Sequence, residues 1–270
     1  MQIAIVGCGW LGQPLGLSLQ KSGHNIVATS RSETGCEKIK TLGFKGLQFN
    51  LGDKLSDNYL EPIFNSDLLI LNIPVGRRSN TSENFVANTD DLLKRLVTSK
   101  VKRVVFVSTT SVYGDQKAVV TEHSATRPNT QSGHINLQIE ELLQKYFTSN
   151  ATTIRLSGLV GKDRHPVNYL TGKTELAAPK SRVNLVHQAD VIQSIESIIK
   201  NEIWGQTLLL SAAEHPTRKE YYTWAAKQLK LAIPQFIDEP EPSEGKIINA
   251  TASLSLLGIT LQYPSPYDML

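Results

Sequence analysis

The chain opens with Met1-Gln-Ile-Ala-Ile-Val-Gly-Cys-Gly-Trp-Leu-Gly-Gln-Pro-Leu-Gly16, and this stretch decides the fold. Residues 2–6 form a short apolar run rich in β-branched side chains, which is typical of a strand buried on both faces of a parallel sheet. Gly7, Gly9 and Gly12 follow at the spacing G-x-G-x-x-G. Between a strand and a helix, such glycines make a tight turn, admit a pyrophosphate close to the backbone and let the helix pack on the strand. The stretch therefore predicts a dinucleotide-binding βαβ unit.

The segments that flank the glycines favour this prediction over the alternative of an ordinary glycine-rich turn. An apolar helix is predicted at residues 11–19, with Pro14 in its first turn, where proline is tolerated. Gly23 ends that helix, and a second strand is predicted at residues 25–29. The N-terminus of the helix offers unpaired N–H groups and a partial positive charge to phosphates. The residues of this turn predicted to bind the cofactor are Gly7, Gly9, Trp10, Leu11 and Gly12.

The end of the second strand indicates which dinucleotide is bound. An acidic residue about 20 positions past the glycines would bind the adenosine ribose hydroxyls and repel a 2′-phosphate. The tip of this strand has no acid and reads Ala28-Thr-Ser-Arg-Ser32. Arg31, flanked by the hydroxyls of Ser30 and Ser32, can clamp a phosphate bidentately. We therefore expect NADP(H) to be favoured over NAD(H), with a solvated surface role for Arg31 as the alternative.

The composition is that of an ordinary globular protein. With 270 residues, 40% of them hydrophobic and 20% charged, the chain can form one large α/β domain or a domain with an appended lobe. No run approaches the ~20 apolar residues of a membrane span. Because a strand begins at residue 2, we expect no signal or transit peptide and a cytoplasmic location. The net charge of +3 is not concentrated in runs, so no nucleic-acid partner is expected.

The chain has two cysteines, Cys8 and Cys36, and they form no C-x-x-C pair. This count excludes a disulfide framework, and no metal site is expected. Cys8 lies inside the predicted phosphate turn, where we expect it to pack; a reactive thiol is the alternative.

Further strands alternate with helices along the chain. Strands are predicted at residues 44–50, 67–72 and 102–107, and a helix at residues 84–96. The fourth strand stops at Ile73-Pro-Val-Gly76, where proline prevents further pairing. This alternation predicts a parallel, doubly wound sheet with right-handed crossovers, and ligands bind such sheets at the carboxyl ends of the strands. Further predicted cofactor contacts at these strand ends are Asn50, Ile73 and Pro74.

The fifth strand ends in a hydroxyl-rich segment, Val107-Ser-Thr-Thr-Ser-Val-Tyr-Gly-Asp115. This segment resembles one in the extended short-chain dehydrogenase/reductase superfamily, specifically its NAD-dependent epimerase/dehydratase group. Members of that group carry a Ser-Ser-x-x-Val-Tyr-Gly stretch after the fifth strand. The resemblance implies that Thr109 is the catalytic hydroxyl residue, with Ser108 and Thr110 as neighbours. It also implies that Tyr113 is structural and not catalytic.

The resemblance continues toward the C-terminus. Residues 154–161 look like the family's sixth strand and following loop, and residues 205–211 like its last strand. Asn184-Leu-Val-His-Gln-Ala-Asp-Val191 looks like the family segment that lies beside the cofactor domain and starts a helix. Within it, His187 is expected to bridge backbone groups and Asp190 to lie at the helix start. Residues 245–249 and 257–264 resemble the tail of small bacterial epimerase-like proteins.

The resemblance implies an α/β fold, a doubly wound parallel Rossmann sheet with a smaller C-terminal substrate lobe. The implied NAD(P)-binding domain spans residues 1–161, with 183–211 returning to it, and the lobe comprises 162–182 and 212–270. Residues 163–182 are polar and loop-like, and residues 235–243 are rich in Pro and Glu. A helix is predicted at residues 220–231. Its Tyr221, Tyr222, Trp224 and Leu229 are expected to form core rather than a ligand site.

One departure from the family pattern concerns its acid–base pair. The family carries Tyr-x-x-x-Lys at the start of the next helix, where the lysine lowers the pKa of the tyrosine so that it exchanges a proton with substrate. The helix body Asn136-Leu-Gln-Ile-Glu-Glu-Leu-Leu143 aligns with the family's Lys-x-x-x-Glu-x-x-Leu. Ser132 then stands at the tyrosine position and Asn136 at the lysine position. No other register recovers the pair, because no tyrosine occurs between Tyr113 and Tyr146.

Three other side chains are candidate site residues. His134 is either an acid–base group or, as we expect, a polar residue on an exposed first helical turn. Glu140 is interpreted as packing or solvated. Tyr169 is a candidate hydroxyl on the substrate side.

Two functions remain open at this point. The first is an atypical NAD(P)-dependent oxidoreductase, epimerase/dehydratase-like, acting on a small polar or nucleotide-sugar-like substrate. The second is a non-catalytic NADP(H)-binding redox or metabolite sensor, which the absent tyrosine and lysine favour. The expected partner is a small-molecule substrate, with no nucleic acid and no membrane. A homodimer is an option by analogy with the superfamily.

Overall fold

The computed structural model describes residues 1–75, 84–239 and 244–270. Two sequence predictions fall partly outside these residues. The predicted strand end at residues 73–76 is described up to residue 75, and the Pro- and Glu-rich stretch at 235–243 is described up to residue 239.

A seven-stranded sheet forms the centre of the molecule. The described strands are β1 (Gln2–Val6), β2 (Asn25–Ser30), β3 (Lys45–Gln48), β4 (Leu68–Leu71), β5 (Arg103–Thr109), β6 (Val119–Val120), β7 (Ala151–Leu156), β8 (Gly158–Val160), β9 (Leu185–His187), β10 (Thr207–Leu210) and β11 (Ile247–Ile248). The main sheet has the order β10-β7-β5-β4-β1-β2-β3, and all its neighbours pair in parallel. This confirms the predicted α/β fold with a doubly wound parallel sheet.

The strand order determines where a ligand can bind. β1 lies between β2 and β4, so the chain runs outward from β1 in both directions. In open parallel sheets, the crevice at the carboxyl ends beside such a reversal is the usual ligand site. The central strands are buried because both faces of the sheet are covered. In β1, Ile3, Ala4, Ile5 and Val6 have no exposed surface.

Helices cover both faces of the sheet. The described helices are α1 (Gly12–Lys21), α2 (Glu33–Thr41), α3 (Asp57–Phe64), α4 (Phe85–Val97), α5 (Gln131–Phe147), α6 (Val167–Leu170), α7 (Gln188–Lys200), α8 (Arg218–Gln228) and α9 (Thr251–Leu257). One apolar core joins the sheet to α1, α7 and α9, and a second core joins it to α3, α4 and α5. In the described part of the chain, none of these helices combines the length and apolar character that crossing a bilayer would need.

A smaller set of elements packs beside the carboxyl edge of the sheet. β8 pairs with β9, and β11 pairs with β6, each in parallel. The core beside β8 and β9 includes side chains of α8, among them Tyr221 and Tyr222, whereas β6 and β11 contribute to a separate cluster around Tyr113. Residues 188–210 return to the main sheet, because α7 covers one of its faces and β10 forms its edge. The division into two domains stays a prediction.

Two local predictions need correction. The helix predicted at 220–231 is α8, which begins at Arg218, because Thr217 and Glu220 form a capping box two residues earlier than expected. Leu229 lies beyond the end of α8 and is 42% exposed, so it is not part of the core. The stretch 163–182, expected to be loop, contains the one-turn helix α6.

Candidate functional site

The first glycine of the turn is required by the fold itself. Gly7 follows β1 with φ +98°, a backbone conformation that L side chains rarely adopt. A Cβ at this position would lie 2.4 Å from the carbonyl oxygen of Asn72. The turn is also tied to both neighbouring strands, since Gly7 N donates to Thr29 Oγ1 (3.0 Å) and Asn72 Nδ2 donates to Gly7 O (2.9 Å). These contacts hold the turn rigidly at the carboxyl end of β1.

The second and third glycines differ in what surrounds them. A Cβ at Gly12 would lie 3.0 Å from the carbonyl oxygen of Gly7, so α1 packs tightly against the turn. A Cβ at Gly9 would meet no protein atom within 4 Å, and Gly9 is exposed. The fold therefore requires small residues at positions 7 and 12, whereas at position 9 it leaves open space next to the backbone. This is the cradle that a pyrophosphate close to the backbone would occupy.

The N-terminus of α1 adds positive potential to this open space. Leu11 occupies the N-cap position, and no side chain caps the helix in the part of the chain that the structure describes. The first turn of α1 has no acidic residue. Unpaired backbone N–H groups and the helix dipole both favour an anion here. The residues present thus fit the diphosphate group of a dinucleotide.

The tip of β2 carries the three residues expected to select the cofactor. Arg31 is exposed, and Gln48 Nε2 holds its carbonyl oxygen at 3.2 Å. Ser32 caps α2, since its side chain accepts a hydrogen bond from Gly35 N at 3.1 Å. Ser30 is half-buried at the last position of β2. Arg31 therefore directly precedes the N-cap residue of α2, and the contact of its side chain with a 2′-phosphate stays a prediction.

The remaining predicted cofactor contacts lie near the same edge of the sheet. Ile73 is half-buried and Pro74 exposed just after β4. Asn50 is exposed beyond β3, in a turn closed by Asp53, whose carboxylate accepts from Asn50 N at 2.8 Å. Because the strands are parallel, their carboxyl ends bring these residues and Gly7 to one side of the molecule. Their role in binding stays a prediction.

Thr109 ends β5 and begins the turn that follows. Its Oγ1 accepts a hydrogen bond from Ser111 N and donates one to Ser111 Oγ, each at 3.1 Å. It thereby caps the 3-10 turn Thr110–Tyr113. The side chain is half-buried at the carboxyl edge of the sheet, the position from which a hydroxyl can reach a ligand bound there.

The first turns of α5 carry Ser132 and Asn136, the residues expected from the sequence to align with the family's tyrosine and lysine. The helix packs directly on the turn after Thr109, because a Cβ at Gly133 would lie 2.7 Å from Ser111 O. Asn136 is buried, and its Nδ2 donates to Ser132 O at 2.8 Å. The Asn136 amide is thus turned back onto its own helix. Neither Ser132 nor Asn136 brings a charge or a group that titrates near neutral pH to this face.

Glu140, one turn further along α5, forms a buried ion pair. Arg155 Nη2 lies 2.6 Å from Glu140 Oε2, and each side chain is 9% exposed. Ser108 Oγ donates to the same carboxylate at 2.5 Å, and Arg155 Nη1 donates to the Tyr113 hydroxyl at 2.6 Å. The solvated interpretation of Glu140 is therefore wrong, because α5 places this side chain against β5 and β7. Burial raises the pKa of Tyr113, which keeps its hydroxyl neutral.

Two basic residues near the site were missed in the sequence. Lys246, just before β11, donates from Nζ to Thr110 O (2.9 Å) and Gly114 O (2.6 Å), so it holds the turn after Thr109 from the opposite side. Burial lowers the pKa of Lys246. Arg164, in the loop after β8, places its guanidinium carbon 5.0 Å from the centre of the Trp10 ring. The only local signal was the lysine in the tail motif at residues 245–249.

Comparison of the sequence with known proteins identifies its family. The sequence model of the NAD dependent epimerase/dehydratase family matches residues 3–182. The chain belongs to this family. Protein YeeZ of Escherichia coli strain K12 is 33% identical over 273 residues, which cover 99% of this chain and 98% of YeeZ.

Solved structures of other proteins share the fold of this chain. A functionally unknown conserved protein from Silicibacter pomeroyi superposes with a TM-score of 0.78 at 23% identity, covering 98% of this chain and 94% of that one. UDP-glucuronic acid 4-epimerase from Bacillus cereus, in complex with NAD, superposes with a TM-score of 0.81 at 17% identity, covering 100% of this chain and 96% of that one. At these identities the likeness shows the fold.

The remaining candidate residues of this family member lie outside the glycine turn and the Thr109 turn. His134 is exposed on the first turn of α5, and Tyr169 is 72% exposed. His187 caps α7 by accepting from Ala189 N at 3.2 Å. Asp190 is fully buried and accepts hydrogen bonds from Gln262 N and Tyr263 N, so it ties the tail to α7.

Cys8 and the acidic residues of the family member offer little further chemistry. Cys8 is buried, and burial raises the pKa of its thiol to about 12, which leaves little reactive thiolate. Among the described residues, no three His, Cys, Asp or Glu side chains come together in a way that could hold a metal ion.

Proposed function

We propose that this protein is an atypical NAD(P)-dependent oxidoreductase, epimerase/dehydratase-like, that acts on a small polar or nucleotide-sugar-like substrate. The observation that carries the proposal is the open space beside Gly9, at the N-terminus of α1 and on the same sheet edge as Thr109. The UDP-glucuronic acid 4-epimerase of Bacillus cereus, which shares the fold, was solved with NAD and with UDP-glucuronic acid. A bound dinucleotide would give or accept a hydride.

NADP(H) is the favoured cofactor in this proposal. The tip of β2 has no acid to bind the adenosine ribose hydroxyls, and the exposed Arg31 offers a charged, planar donor for a 2′-phosphate. The hydroxyl of Ser30 and the Ser32 cap at the start of α2 flank it on either side. Gly7, Gly9 and Gly12 would hold the diphosphate that NAD(H) and NADP(H) share.

Thr109 is the proposed catalytic hydroxyl. Its Oγ1 accepts a hydrogen bond from Ser111 N, and its hydroxyl hydrogen would turn from Ser111 Oγ to a substrate oxygen at the carboxyl end of β5. The family's usual proton exchange through tyrosine and lysine is not available, because Ser132 and Asn136 stand at those positions. In this proposal the protein does not carry out ordinary Tyr/Lys-dependent hydride chemistry, and substrate protons move through another group.

A second candidate function is a non-catalytic NADP(H)-binding redox or metabolite sensor. The observation that favours it is the Asn136 amide, which is bonded to Ser132 O and replaces a charged lysine at the centre of the family's acid–base site. A sensor needs the cofactor cradle but no proton donor. The dinucleotide site is the same in both functions.

One set of variants tests the proposal against the sensor. The parent protein, Thr109→Ala and the double variant Ser132→Tyr with Asn136→Lys are titrated with NADPH and then assayed on carbonyl probes and UDP-sugars. We expect the parent to bind NADPH and to turn over at least one substrate slowly, with Thr109→Ala less active. The double variant should be faster by up to about 10²–10⁴, the value of positioned acid–base assistance.

Each contrary result has a distinct meaning. A parent that binds NADPH and turns over nothing supports the sensor. A parent that works at ordinary dehydrogenase rates contradicts the proposed loss of acid–base chemistry. A parent that binds neither dinucleotide contradicts both functions.

The assembly and location remain proposals as well. We expect a homodimer by analogy with the superfamily, which sedimentation velocity would show as a species of twice the chain mass. The cytoplasmic location expected from the sequence stays a prediction.

A further inference from the structure

An arginine from the loop after β8 lies against the aromatic ring in the glycine turn. The guanidinium carbon of Arg164 is 5.0 Å from the centre of the Trp10 ring, within the range of a cation–π contact. Trp10 directly follows Gly9, beside which the fold leaves open space. The contact therefore brings a positive charge from a distant loop to the residue next to the proposed diphosphate cradle.

Arg164 is held in place by its own loop. Gly161 N donates to Arg164 O at 3.1 Å, and Arg164 N donates to Gly161 O at 3.0 Å, so the loop is a tight turn closed at both ends. The next residue, His165, is buried, and its Nε2 lies 2.8 Å from the Tyr221 hydroxyl. This anchoring limits where the Arg164 side chain can reach.

Trp10 is fixed as well. Gln188 Nε2, in the first turn of α7, donates to Trp10 O at 2.8 Å. The Trp10 ring also lies against Gly161, where an added Cβ would be 3.0 Å from the ring carbon Cη2. The ring thus lies between the glycine turn and the loop that carries Arg164.

The hydrogen-bonding edge of Arg164 is available to a ligand. The residue is exposed, and within the residues that the structure describes no carboxylate forms an ion pair with it. A cation–π contact uses none of the guanidinium N–H donors, which stay able to bind a phosphate bidentately. The contact with Trp10 therefore holds Arg164 without consuming its donors.

We propose that Arg164 binds the diphosphate of a dinucleotide held on the Gly7–Gly12 turn. This inference rests on the proposed function, because it requires a dinucleotide at that turn. Arg164 differs from Arg31 in the group it recognises: the diphosphate is common to NAD(H) and NADP(H), whereas the 2′-phosphate belongs to NADP(H) alone. Arg164 therefore strengthens the binding of both dinucleotides equally.

Binding titrations test this inference without any need for turnover. Calorimetry with NADH and with NADPH, at low and at high salt, is carried out on the parent, Arg164→Gln, Arg164→Lys and Lys162→Gln. We expect Arg164→Gln to weaken the binding of NADH and of NADPH by a similar factor of about 10 to 100. This is the scale of a charge-assisted hydrogen bond. Its affinity should also depend less on salt than that of the parent, since one screened charge pair is gone.

The other two variants serve as references. Arg164→Lys keeps the charge but loses bidentate binding, so its affinity should lie between those of the parent and Arg164→Gln. Lys162→Gln removes an exposed cation from the same turn and should leave both affinities unchanged.

Two results would overturn the inference while leaving the proposed function standing. One is a parent that binds dinucleotide and an Arg164→Gln variant that binds it equally well. The other is an Arg164→Gln variant whose dinucleotide affinity is reduced by the same factor at every salt concentration. That result would mean that Arg164 only supports the Trp10 ring. A parent that binds neither NADH nor NADPH would instead reject the proposed function, and this inference with it.

Discussion

Within the glycine turn (residues 7–12), the fold itself requires Gly7, whereas Gly9 is the position that leaves room for a ligand. Gly7 has φ +98° and would place a Cβ 2.4 Å from Asn72 O, whereas a Cβ at Gly9 would meet no protein atom within 4 Å. We therefore expect Gly9→Asp to fold normally and to lose dinucleotide binding, because its side chain and charge would occupy the diphosphate position. Calorimetry and thermal unfolding would measure the two effects.

Gly7→Ala is the matched variant for this prediction. Its strained backbone and its clash with the carbonyl oxygen of Asn72 should lower the free energy of unfolding by about 1–3 kcal/mol or more. Unchanged dinucleotide affinity in Gly9→Asp would rule out the assigned site.

Arg31 is the residue proposed to favour NADP(H) over NAD(H). Arg31→Ala should weaken NADPH binding by roughly 1.5–3 kcal/mol, the scale of a charge-assisted hydrogen bond, and leave NADH binding nearly unaffected. Lys38→Ala, an exposed cation on α2, is the control and should change neither affinity. A parent that binds NADH more tightly than NADPH would show that the inference from the missing acid is wrong.

At the scale of elements, the buried ion pair joins α5 to the strands that carry the site. Arg155 on β7 contacts Glu140 on α5 and Tyr113, and Glu140 also accepts from Ser108, which precedes Thr109. Removal of one partner leaves an unpaired buried charge, so Arg155→Met should lower the free energy of unfolding by about 3–5 kcal/mol. Urea denaturation would measure this loss.

The double variant Arg155→Met with Glu140→Leu should recover part of that stability, since neither charge is then left unpaired. Lys40→Met removes one partner of the exposed Lys40–Glu37 pair and should leave stability nearly unchanged. Similar losses from Arg155→Met and Lys40→Met would contradict the structural role assigned to the buried pair.

At the scale of the whole molecule, buried histidines make stability depend on pH. Burial lowers the pKa of His165 to about 4 and also lowers the pKa of His187 and His215. As the pH falls below about 6.5, His165 binds a proton in the unfolded chain but not in the folded one, so acid favours unfolding. As the pH falls from 7 to 5, this proton uptake by His165 alone should lower the free energy of unfolding by about 2 kcal/mol.

The His165 prediction is checked by the slope of unfolding free energy against pH in that window. His165→Gln should flatten the slope, although it also loses the hydrogen bonds to Tyr221 and Val167 N. His134→Gln, which replaces an exposed histidine in the same way, is the control for the substitution itself. An equal slope in all three proteins would show that His165 is not the group responsible.

Much of the fold could be predicted from the sequence because the relevant signals are local. The apolar run at residues 2–6, the glycine spacing behind it and the alternation of strand and helix patterns each involve neighbouring residues. Together they determine a parallel sheet, and a parallel sheet brings all its carboxyl ends to one edge. That rule was enough to predict that Gly7, Pro74 and the segment after Val107 lie at the same edge of the sheet.

Only the tertiary structure decided which side chains support that edge. Lys246 reaches Thr110, 136 residues earlier in the chain, and Arg164 reaches Trp10 across a comparable separation. Glu140 is charged and was open to a solvated interpretation, yet α5 buries it against Arg155. Such contacts depend on how distant elements pack, and no local periodicity encodes that packing. The sequence by itself therefore determined the sheet and its binding edge, whereas the charges around that edge were decided by the packing of remote segments.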